Sequence, residues 1–357
     1  MKLYKFEKTL KDKKILVTGH TGFTGSWLCQ WLINIGAKVN GYALEPKTYP
    51  SLFNLLDLEK RMDSYIGDIT RTDILHNYVE KVQPDLIIHL AAQPLVTDSY
   101  LNPLETYSIN TMGTANVLEV ARNCSSVQAI VCITTDKVYE NNEDNKAYAE
   151  AARLGGKDPY SASKSAAELI IESYKYAFSA KDEILIASAR GGNIIGGGDW
   201  SANRLIPDIV RAITSGNTLN IRYPNSTRPW QHVLGLVYGY LLLSADLLNN
   251  NYKSSSAWNF GPVDSKSYSV QEILDLAFSQ WAEPNYKLTE SDFAEAGYLR
   301  LDSSKAKDEL FWYPPWNTKK AIKETFNWYK EFYKDQSSVL KITNSQIEDW
   351  RSEISSK

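Results

Sequence analysis

The stretch from Lys14 to Leu28, "KILVTGHTGFTGSWL", decides the fold. An apolar run ends in a turn that carries Gly19, Gly22 and Gly25, and a second apolar run follows. Glycines let a backbone pass close to a pyrophosphate, and the free N–H groups at a helix N-terminus attract negative charge. The stretch therefore predicts a strand, a turn able to bind a pyrophosphate, and a helix.

The remainder of the first half repeats this order of elements. Apolar runs such as "KVNGYAL", "SYIGD", "DLIIHLAA" and "AIVCITT" alternate with helical patterns such as "TDILHNYVEKV". Short continuous apolar runs are typical of strands covered on both faces, so we predict an α/β fold with a doubly wound parallel sheet. The pattern becomes irregular after residue 200. We therefore expect a smaller, mixed C-terminal substrate domain.

The predicted boundaries follow from these changes in pattern. Residues 1–192 and about 233–263 form the sheet domain, about 193–232 and 264–340 form the smaller domain, and 341–357 form a polar tail.

Composition excludes several classes of function. The 357 residues carry a net charge of −3, which gives no broad basic surface for nucleic acid. The three cysteines have no metal-ligand spacing, so we expect no metal site and a reducing compartment. A signal sequence and a long apolar run are both lacking, which predicts a cytoplasmic protein that does not enter a membrane.

The ends of further strands supply candidates for a dinucleotide site. Asp68 in "GDI" either accepts from an adenine amine or caps the next helix. The second strand ends at Ala43, where an acid that binds ribose is expected; Glu45 and Lys47 follow, and we favour NAD over NADP. The predicted cofactor residues are Gly19, Thr21, Gly22, Phe23, Thr24, Gly25, Asp68, Ile69, Leu90, Ala91, Ala92, Gln93, Asn110, Tyr160 and Lys164.

A reactive cluster is predicted from two segments. Tyr160 and Lys164 are four residues apart, so they share a helix face, and a lysine ammonium favours a tyrosine phenolate. This pair predicts a base for an alcohol, with the pKa of Tyr160 lowered from about 10. Thr135, at the end of the strand "AIVCITT", would orient the same alcohol, and Asp136 and Lys137 follow it directly.

The glycine turn, Thr135, Tyr160 and Lys164 in this order resemble the extended short-chain dehydrogenase/reductase family over roughly residues 12–330. The resemblance implies a Rossmann domain that binds NAD, with Asn110 in "NTMGTANVLE" supporting the active-site backbone. The adjacent Asp136 and Lys137 resemble the nucleotide-sugar 4,6-dehydratases within that family. Such enzymes oxidise the sugar at C4, eliminate water across C5–C6 and return the hydride to C6.

Lys137 stands where thymidine-linked dehydratases usually carry Glu. Together with "GGNIIGGGDW", "NRLIPDIVRA", "RPWQHVL" and "WNFGP", it resembles the CDP-linked branch, which implies CDP-glucose as substrate. Lys137 acts either as a neutral base at C5 or as a cation that stabilises the enolate, and the sequence leaves both open. The resemblance also implies a homodimer, formed through the helices that begin near Glu105 and Tyr160, and a product used for deoxysugars of a surface polysaccharide.

The substrate is expected beyond the strand that ends near Arg190. Arginine suits a pyrophosphate because its planar group donates two hydrogen bonds. The predicted substrate contacts are Gln93, Ser99, Tyr100, Asn193, Arg204, Arg228 and His232, with Arg222 as a further candidate. A structural histidine at His232 is equally compatible with the sequence. The alternative functions are a nucleotide-sugar epimerase or reductase, a dehydratase of another nucleotide-hexose, and a dinucleotide sensor without activity.

Overall fold

A computed structural model describes residues 4–142, 146–221, 224, 226–262, 268–289 and 299–354. The strands are β1 Lys14–Thr18, β2 Lys38–Ala43, β3 Asp63–Ile66, β4 Leu86–His89, β5 Ala129–Thr135, β6 Leu185–Gly191, β7 Ile194–Ile195, β8 Leu219–Ile221, β9 Thr227–Arg228, β10 Gln231–His232, β11 Ala257–Phe260, β12 Tyr268–Ser269 and β13 Tyr286–Leu288.

The helices are α1 Lys5–Leu10, α2 Phe23–Asn34, α3 Leu52–Leu55, α4 Thr72–Val82, α5 Val96–Leu101, α6 Pro103–Tyr107, α7 Gly113–Asn123, α8 Pro159–Asp182, α9 Leu205–Ser215, α10 Val233–Leu248, α11 Val270–Gln280, α12 Ser304–Leu310, α13 Thr318–Lys334 and α14 Val339–Ile354. None of these helices combines the length and apolar character that crossing a bilayer requires.

The central sheet has seven strands in the order β3-β2-β1-β4-β5-β6-β11, and all neighbouring strands are parallel. This confirms the predicted doubly wound arrangement. The strand order reverses between β1 and β4, whose residues Ile15 and Leu86 pair directly. Ligands of such sheets bind outside the carboxyl ends of the strands at this reversal. The ends of β1, β4 and β5 therefore mark the candidate site.

Successive side chains along a strand point to opposite faces of the sheet, so the buried core is divided into two clusters, one on each face. In β5, Ile130 and Cys132 pack in one buried cluster with α7 and α8, while Ala129 and Val131 pack in the cluster that contains α2 and α10. Successive strand residues point to opposite faces, so a strand covered on both sides must be apolar throughout. This is why β4 and β6 are buried along their full lengths.

The predicted polar tail forms a packed helix over most of its length. Residues 339–354 form α14, in which Trp350 is 1% exposed. Arg351 is buried as well, and its Nε donates to the buried Glu7 Oε1 of α1 at 2.7 Å. The polar sequence conceals this packing because the buried Arg351 is paired with Glu7 and with the exposed Glu348, while the other charged residues of α14 face outward. Residues 355–357 lie outside the described part of the chain.

Candidate active site

One cavity of about 960 Å³ lies at the carboxyl ends of β1, β4 and β5. It extends from the glycine turn to β8 and α9. The predicted residues that line it are Gly19, Thr21, Gly22, Phe23, Thr24, Gly25, Asp68, Ile69, Leu90, Ala91, Ala92, Thr135, Asp136, Lys137, Tyr160, Lys164, Asn193, Arg204 and Arg228. Most of the predicted site is thus brought together in a single space.

The glycine turn is shaped to hold a dinucleotide. Gly19 has a φ of +74°, and a Cβ added to it would lie 2.7 Å from the Ala91 nitrogen. A Cβ added to Gly25 would lie 2.2 Å from the Gly19 carbonyl oxygen, so the turn packs tightly against the first turn of α2. Gly22 precedes α2 and leaves the N–H groups of that helix open to the cavity. These features fit a pyrophosphate at the helix N-terminus.

The adenosine end of the cavity is lined by Ala43, Glu45, Lys47 and Asp68. Asp68 Oδ1 accepts from the Thr70 backbone N–H at 2.9 Å, so the carboxylate caps the turn that leads into α4. Asp68 therefore does not cap α4, whose N-cap is Arg71; it stabilises the turn before that helix and also faces the cavity.

His20, within the glycine turn, does not line the cavity and bonds to β3 instead. Its Nε2 is hydrogen-bonded to Ser64 Oγ at 2.7 Å, and its ring packs edge-on against Phe53. Burial lowers the pKa of His20 to about 4, so this imidazole is neutral at physiological pH.

The predicted reactive residues converge where β5 ends and α8 begins. Thr135 Oγ1 donates to Asp136 Oδ1 at 3.0 Å and accepts from the Lys137 backbone N–H at 3.3 Å. Tyr160 lies in the first turn of α8, and Lys164 Nζ, one turn later, donates to the Ile133 carbonyl at 3.3 Å. A hydroxyl, an acid, a phenol and two amines therefore face the same cavity.

Burial controls the charges of this cluster. It raises the pKa of Asp136, although Lys137, the Thr135 hydroxyl and Arg228 oppose the change. The Asp136 carboxyl therefore holds a proton more readily than an exposed carboxyl does. Burial also lowers the pKa of Lys164 to about 8, against the opposing effects of Cys132 and Glu168.

In the protein without a bound ligand, the predicted lowering of the Tyr160 pKa is wrong. Burial raises the pKa of Tyr160 to about 12, and the hydrogen bond with Thr135 offsets only part of that effect. The sequence places Lys164 correctly but does not reveal how deeply the phenol is buried. A phenolate in this position requires an additional positive charge from a bound ligand.

Asn110 supports the backbone behind the cavity, as the family resemblance implied. It lies in a π-helical turn, Ser108–Met112, and its Oδ1 accepts from the Gln93 N–H at 2.8 Å while its Nδ2 donates to the Gln93 carbonyl at 3.1 Å. Neither side chain lines the cavity. The Gln93 amide donates instead to Leu95 O and Thr106 Oγ1, each at 3.0 Å. Both residues are therefore corrected from ligand contacts to supports of the loop.

Three predicted substrate contacts also lie outside the cavity lining. Ser99 is fully buried; its hydroxyl donates to Val96 O at 2.7 Å and accepts from the Tyr160 N–H at 3.2 Å, so it supports the start of α8. Tyr100 is 38% exposed at the protein surface. His232 is 1% exposed and packs edge-on against Trp27 and Trp316.

His232 has a structural role at the start of α10. Its Nδ1 accepts from the Leu234 N–H at 3.3 Å, which caps that helix. Burial lowers its pKa to about 3, so the ring stays neutral. The structural alternative for His232 is thus the correct one.

Asn193, Arg204 and Arg228 remain at the predicted substrate end. Arg204 Nη1 donates to Asp199 Oδ2 at 3.0 Å, which orients the guanidinium, and Arg228 is 7% exposed. Arg222 lies outside the described residues. Tyr240 of α10 also lines the cavity, and burial raises the pKa of its phenol. The sequence did not identify Tyr240, because "VYGYLLLSA" is indistinguishable from a core helix.

Comparison with known proteins relates these features to established enzymes. A family model described as GDP-mannose 4,6 dehydratase matches residues 16–325. A CDP-glucose 4,6-dehydratase of Salmonella typhimurium is 41% identical over 349 residues, which cover 96% of this chain and 97% of the relative.

Solved structures confirm the Rossmann fold. A dTDP-glucose 4,6-dehydratase from Bacillus anthracis in complex with NAD has a TM-score of 0.76 at 19% identity, covering 90% of this chain and 98% of that chain. A UDP-glucose 4-epimerase from Thermotoga maritima with UDP-glucose also has a TM-score of 0.76, at 21% identity, covering 90% of this chain and 99% of that chain. Dehydratases and epimerases share this fold, so the residues of the active site, and not the fold, distinguish the two reactions.

Proposed function

This chain belongs to the GDP-mannose 4,6-dehydratase family of nucleotide-sugar-modifying enzymes, and from that premise we propose that it is an NAD-dependent CDP-glucose 4,6-dehydratase, a hydro-lyase. The product is CDP-4-keto-6-deoxy-glucose. One observation carries the proposal: the buried Asp136 lies beside Thr135 and Lys137 in the same cavity as Tyr160 and Lys164. A 4-epimerase or a reductase would leave Asp136 and Lys137 without a task.

The first step removes hydrogen from C4 of the hexose. Thr135 and Tyr160 hold the C4 hydroxyl, and Tyr160 takes its proton. NAD, when bound, supplies a reversible acceptor for the C4 hydride. A positive charge beside the phenol lowers the pKa of Tyr160 from the value of about 12 that burial imposes. Lys164 donates hydrogen bonds from the adjacent turn of α8 and suits the hydroxyls of a ribose.

The second step eliminates water across C5 and C6. The C4 ketone acidifies the C5 hydrogen; as the C5 proton leaves, the C6–oxygen bond breaks, and the departing hydroxyl takes a proton. Asp136 suits the donor role because burial raises its pKa and keeps the carboxyl protonated more readily. Lys137, the next residue, either removes the C5 proton or stabilises the enolate. The hydride then returns to C6, and C5 regains a proton.

The nucleotide end has the charge that a diphosphate requires. Arg204, Arg228 and Asn193 line the same cavity as the catalytic cluster. Against the larger effect of burial, Arg204 lowers the pKa of Tyr160 and Arg228 lowers that of Asp136, so both guanidinium groups lie close to the cluster. Guanidinium groups bind phosphate oxygens through paired hydrogen bonds. The choice of a cytidine nucleotide is supported by the likeness to the Salmonella enzyme over almost the full length of both chains.

A substrate panel tests this function. Purified protein is incubated with CDP-, dTDP-, UDP- or GDP-glucose and NAD, without an added reductant. We expect a 4-keto-6-deoxy product from CDP-glucose in preference to the other three nucleotides, with no net reduction of the cofactor. An epimerised sugar would establish the alternative reaction, and turnover of another nucleotide-glucose would overturn the substrate assignment.

We further propose a homodimer. Leu104 of α6, Leu169 of α8 and the adjoining Met112 are 84%, 62% and 55% exposed, and apolar side chains concentrated on neighbouring helices mark an association surface. Leu169→Glu should shift the mass measured by sedimentation to that of a monomer, whereas Leu288→Glu, on an exposed strand far along the chain, should not. An unchanged mass in Leu169→Glu would exclude this surface.

We infer a cytoplasmic location and a role in supplying deoxysugars for a surface polysaccharide. Cys29, Cys124 and Cys132 are all free and buried, which suits a reducing compartment. The 4-keto group of the proposed product permits the further reduction, epimerisation or amination that deoxysugars require.

A further inference from the structure

We propose that Glu168 is a positioning residue for the reaction, which holds the carboxyl end of β5 against α8 and keeps Lys164 charged. Glu168 touches neither the cavity nor any residue assigned a chemical step, so it acts through its neighbours. The kinetic part of this inference rests on the proposed function, whereas the binding part does not.

Glu168 joins α8 to the two strands that end at the site. Its Oε1 accepts from Thr134 Oγ1 of β5 at 2.5 Å. Its Oε2 accepts from Ser188 Oγ of β6 at 2.9 Å and from Arg190 Nη2 of β6 at 2.6 Å. The Glu168 and Arg190 side chains are 3% and 5% exposed. Both carboxylate oxygens are thus committed, and a buried residue with this many bonds has a single orientation.

Lys164 contacts the same strand from the preceding turn of α8. Residues four apart lie on one helix face, so Lys164 and Glu168 both point at β5. Lys164 Nζ donates to the carbonyl of Ile133, and Glu168 accepts from the side chain of Thr134. These two contacts hold the two residues immediately before Thr135. The position of the Thr135 hydroxyl relative to α8, and hence to Tyr160, follows from this clamp.

Three titratable neighbours bear on the charge of Lys164: His89, Cys132 and Glu168. His89 of β4 is kept neutral because burial, aided by Lys164, lowers its pKa to about 3. Cys132 of β5 remains a thiol because burial raises its pKa. Glu168, on the same helix as Lys164, lies 2.6 Å from Arg190 Nη2 in a buried ion pair. Cys132 and Glu168 both raise the pKa of Lys164 against the larger effect of burial, and Glu168 is the carboxylate of the two.

The alternative is that the Glu168–Arg190 pair only stabilises the sheet. A purely structural role predicts that removing Glu168 lowers thermal stability and the fraction of active molecules. The molecules that remain folded would then bind NAD with unchanged affinity and unchanged pH dependence. The positioning role predicts a change in the pH dependence of NAD binding. Removal of the negative charge lowers the pKa of Lys164, so the ammonium loses its proton at a lower pH and NAD affinity falls earlier as the pH rises.

Two variants separate the effect of the Glu168 charge on Lys164 from its effect on the position of β5. Glu168→Gln removes the charge, and Thr134→Val removes the hydrogen bond to β5. For Glu168→Gln, the pH at which the Kd for NAD begins to rise should shift downward, and kcat should fall about 10²-fold, as expected for a misplaced catalytic group. Thr134→Val keeps the ion pair and removes the Glu168 contact of the clamp; its kcat should fall about tenfold or more, with the wild-type pH dependence of NAD binding. Thr134→Ser should restore kcat, because serine supplies the same donor.

Ser188→Ala is the matched control. It removes one hydrogen bond to Glu168 without touching β5, so kcat and NAD binding should stay within about twofold of wild type. The inference is overturned if folded Glu168→Gln keeps the wild-type pH profile of NAD binding, or if Thr134→Val and Ser188→Ala lower kcat equally. Thr134→Val retains the buried ion pair and so tests the clamp even where Glu168→Gln does not fold. A wild-type protein without dehydratase activity would refute the proposed function, and NAD binding in Glu168→Gln would still test the charge role.

Discussion

Asp136→Asn should allow oxidation at C4 of the sugar and block the elimination of water that follows it. The amide has nearly the shape of the carboxyl and can still accept the Thr135 hydrogen bond of 3.0 Å, but it cannot protonate the departing C6 hydroxyl. Positioned proton transfer contributes about 10²- to 10⁴-fold in rate, or about 2.7–5.4 kcal/mol of barrier. Asp136 is 3% exposed, so water cannot easily take its place and the loss should lie near the upper end.

The assay follows the absorbance of the reduced nicotinamide in a single turnover with CDP-glucose. Asp136→Asn leaves Tyr160 and Thr135 intact, so oxidation at C4 should proceed and reduced cofactor should accumulate. Tyr160→Phe is the contrasting variant: it blocks the first step, and no reduced cofactor should form. The thermal stability of Asp136→Asn should not fall, because burial raises the pKa of Asp136 and penalises its charged form, which the amide lacks.

Two results would refute this reasoning. Turnover of Asp136→Asn within about tenfold of wild type would exclude Asp136 as the acid, since that loss is far below the expected range. Failure of Asp136→Asn to reduce the cofactor, with NAD affinity intact, would place Asp136 in the oxidation step instead.

Three further predictions concern the cofactor turn, the elimination and the fold. Gly25→Ala should weaken NAD binding at least about tenfold in calorimetry, because the added Cβ would lie 2.2 Å from a carbonyl oxygen of the turn. Lys137→Met should abolish exchange of the C5 hydrogen with solvent deuterium if Lys137 is the base, and exchange at the wild-type rate would exclude that role. Arg351→Met should lower the free energy of unfolding by about 3–5 kcal/mol in urea titration, because Glu7 stays buried without its cationic partner and keeps only the hydrogen bonds from Trp31 and Tyr4. Arg122→Met, at a surface pair, should cost less than about 1 kcal/mol.

Much of the fold was accessible from sequence because its signals are local and periodic. The glycine spacing from Gly19 to Gly25 predicts the turn, and continuous apolar runs predict parallel strands covered on both faces. The carboxyl ends of such strands share one edge of the sheet, so Thr135 and the glycine turn were predictable neighbours. Tyr160 and Lys164 follow from helix periodicity alone.

The wrongly predicted ligand contacts arise because sequence does not show which way a polar side chain faces. Gln93, Ser99 and His232 are polar residues near the cavity, and a one-dimensional pattern cannot tell whether such a side chain faces a ligand or bonds to the loop behind it. Long-range packing decides this: Asn110, in the turn Ser108–Met112, holds the backbone of Gln93 in the loop after β4, and the rings of Trp27 and Trp316 pack against His232.

Residue types, spacing and periodicity thus determine the parallel sheet, the dinucleotide turn and the identity of the reactive groups. The charge of those groups depends on burial, which is a property of the packed molecule. Burial raises the pKa of Tyr160 and of Asp136 and lowers that of Lys164, in each case by removing water that would stabilise the ion. The sheet follows from local alternation, whereas the electrostatics of the site arise when distant segments exclude solvent from it.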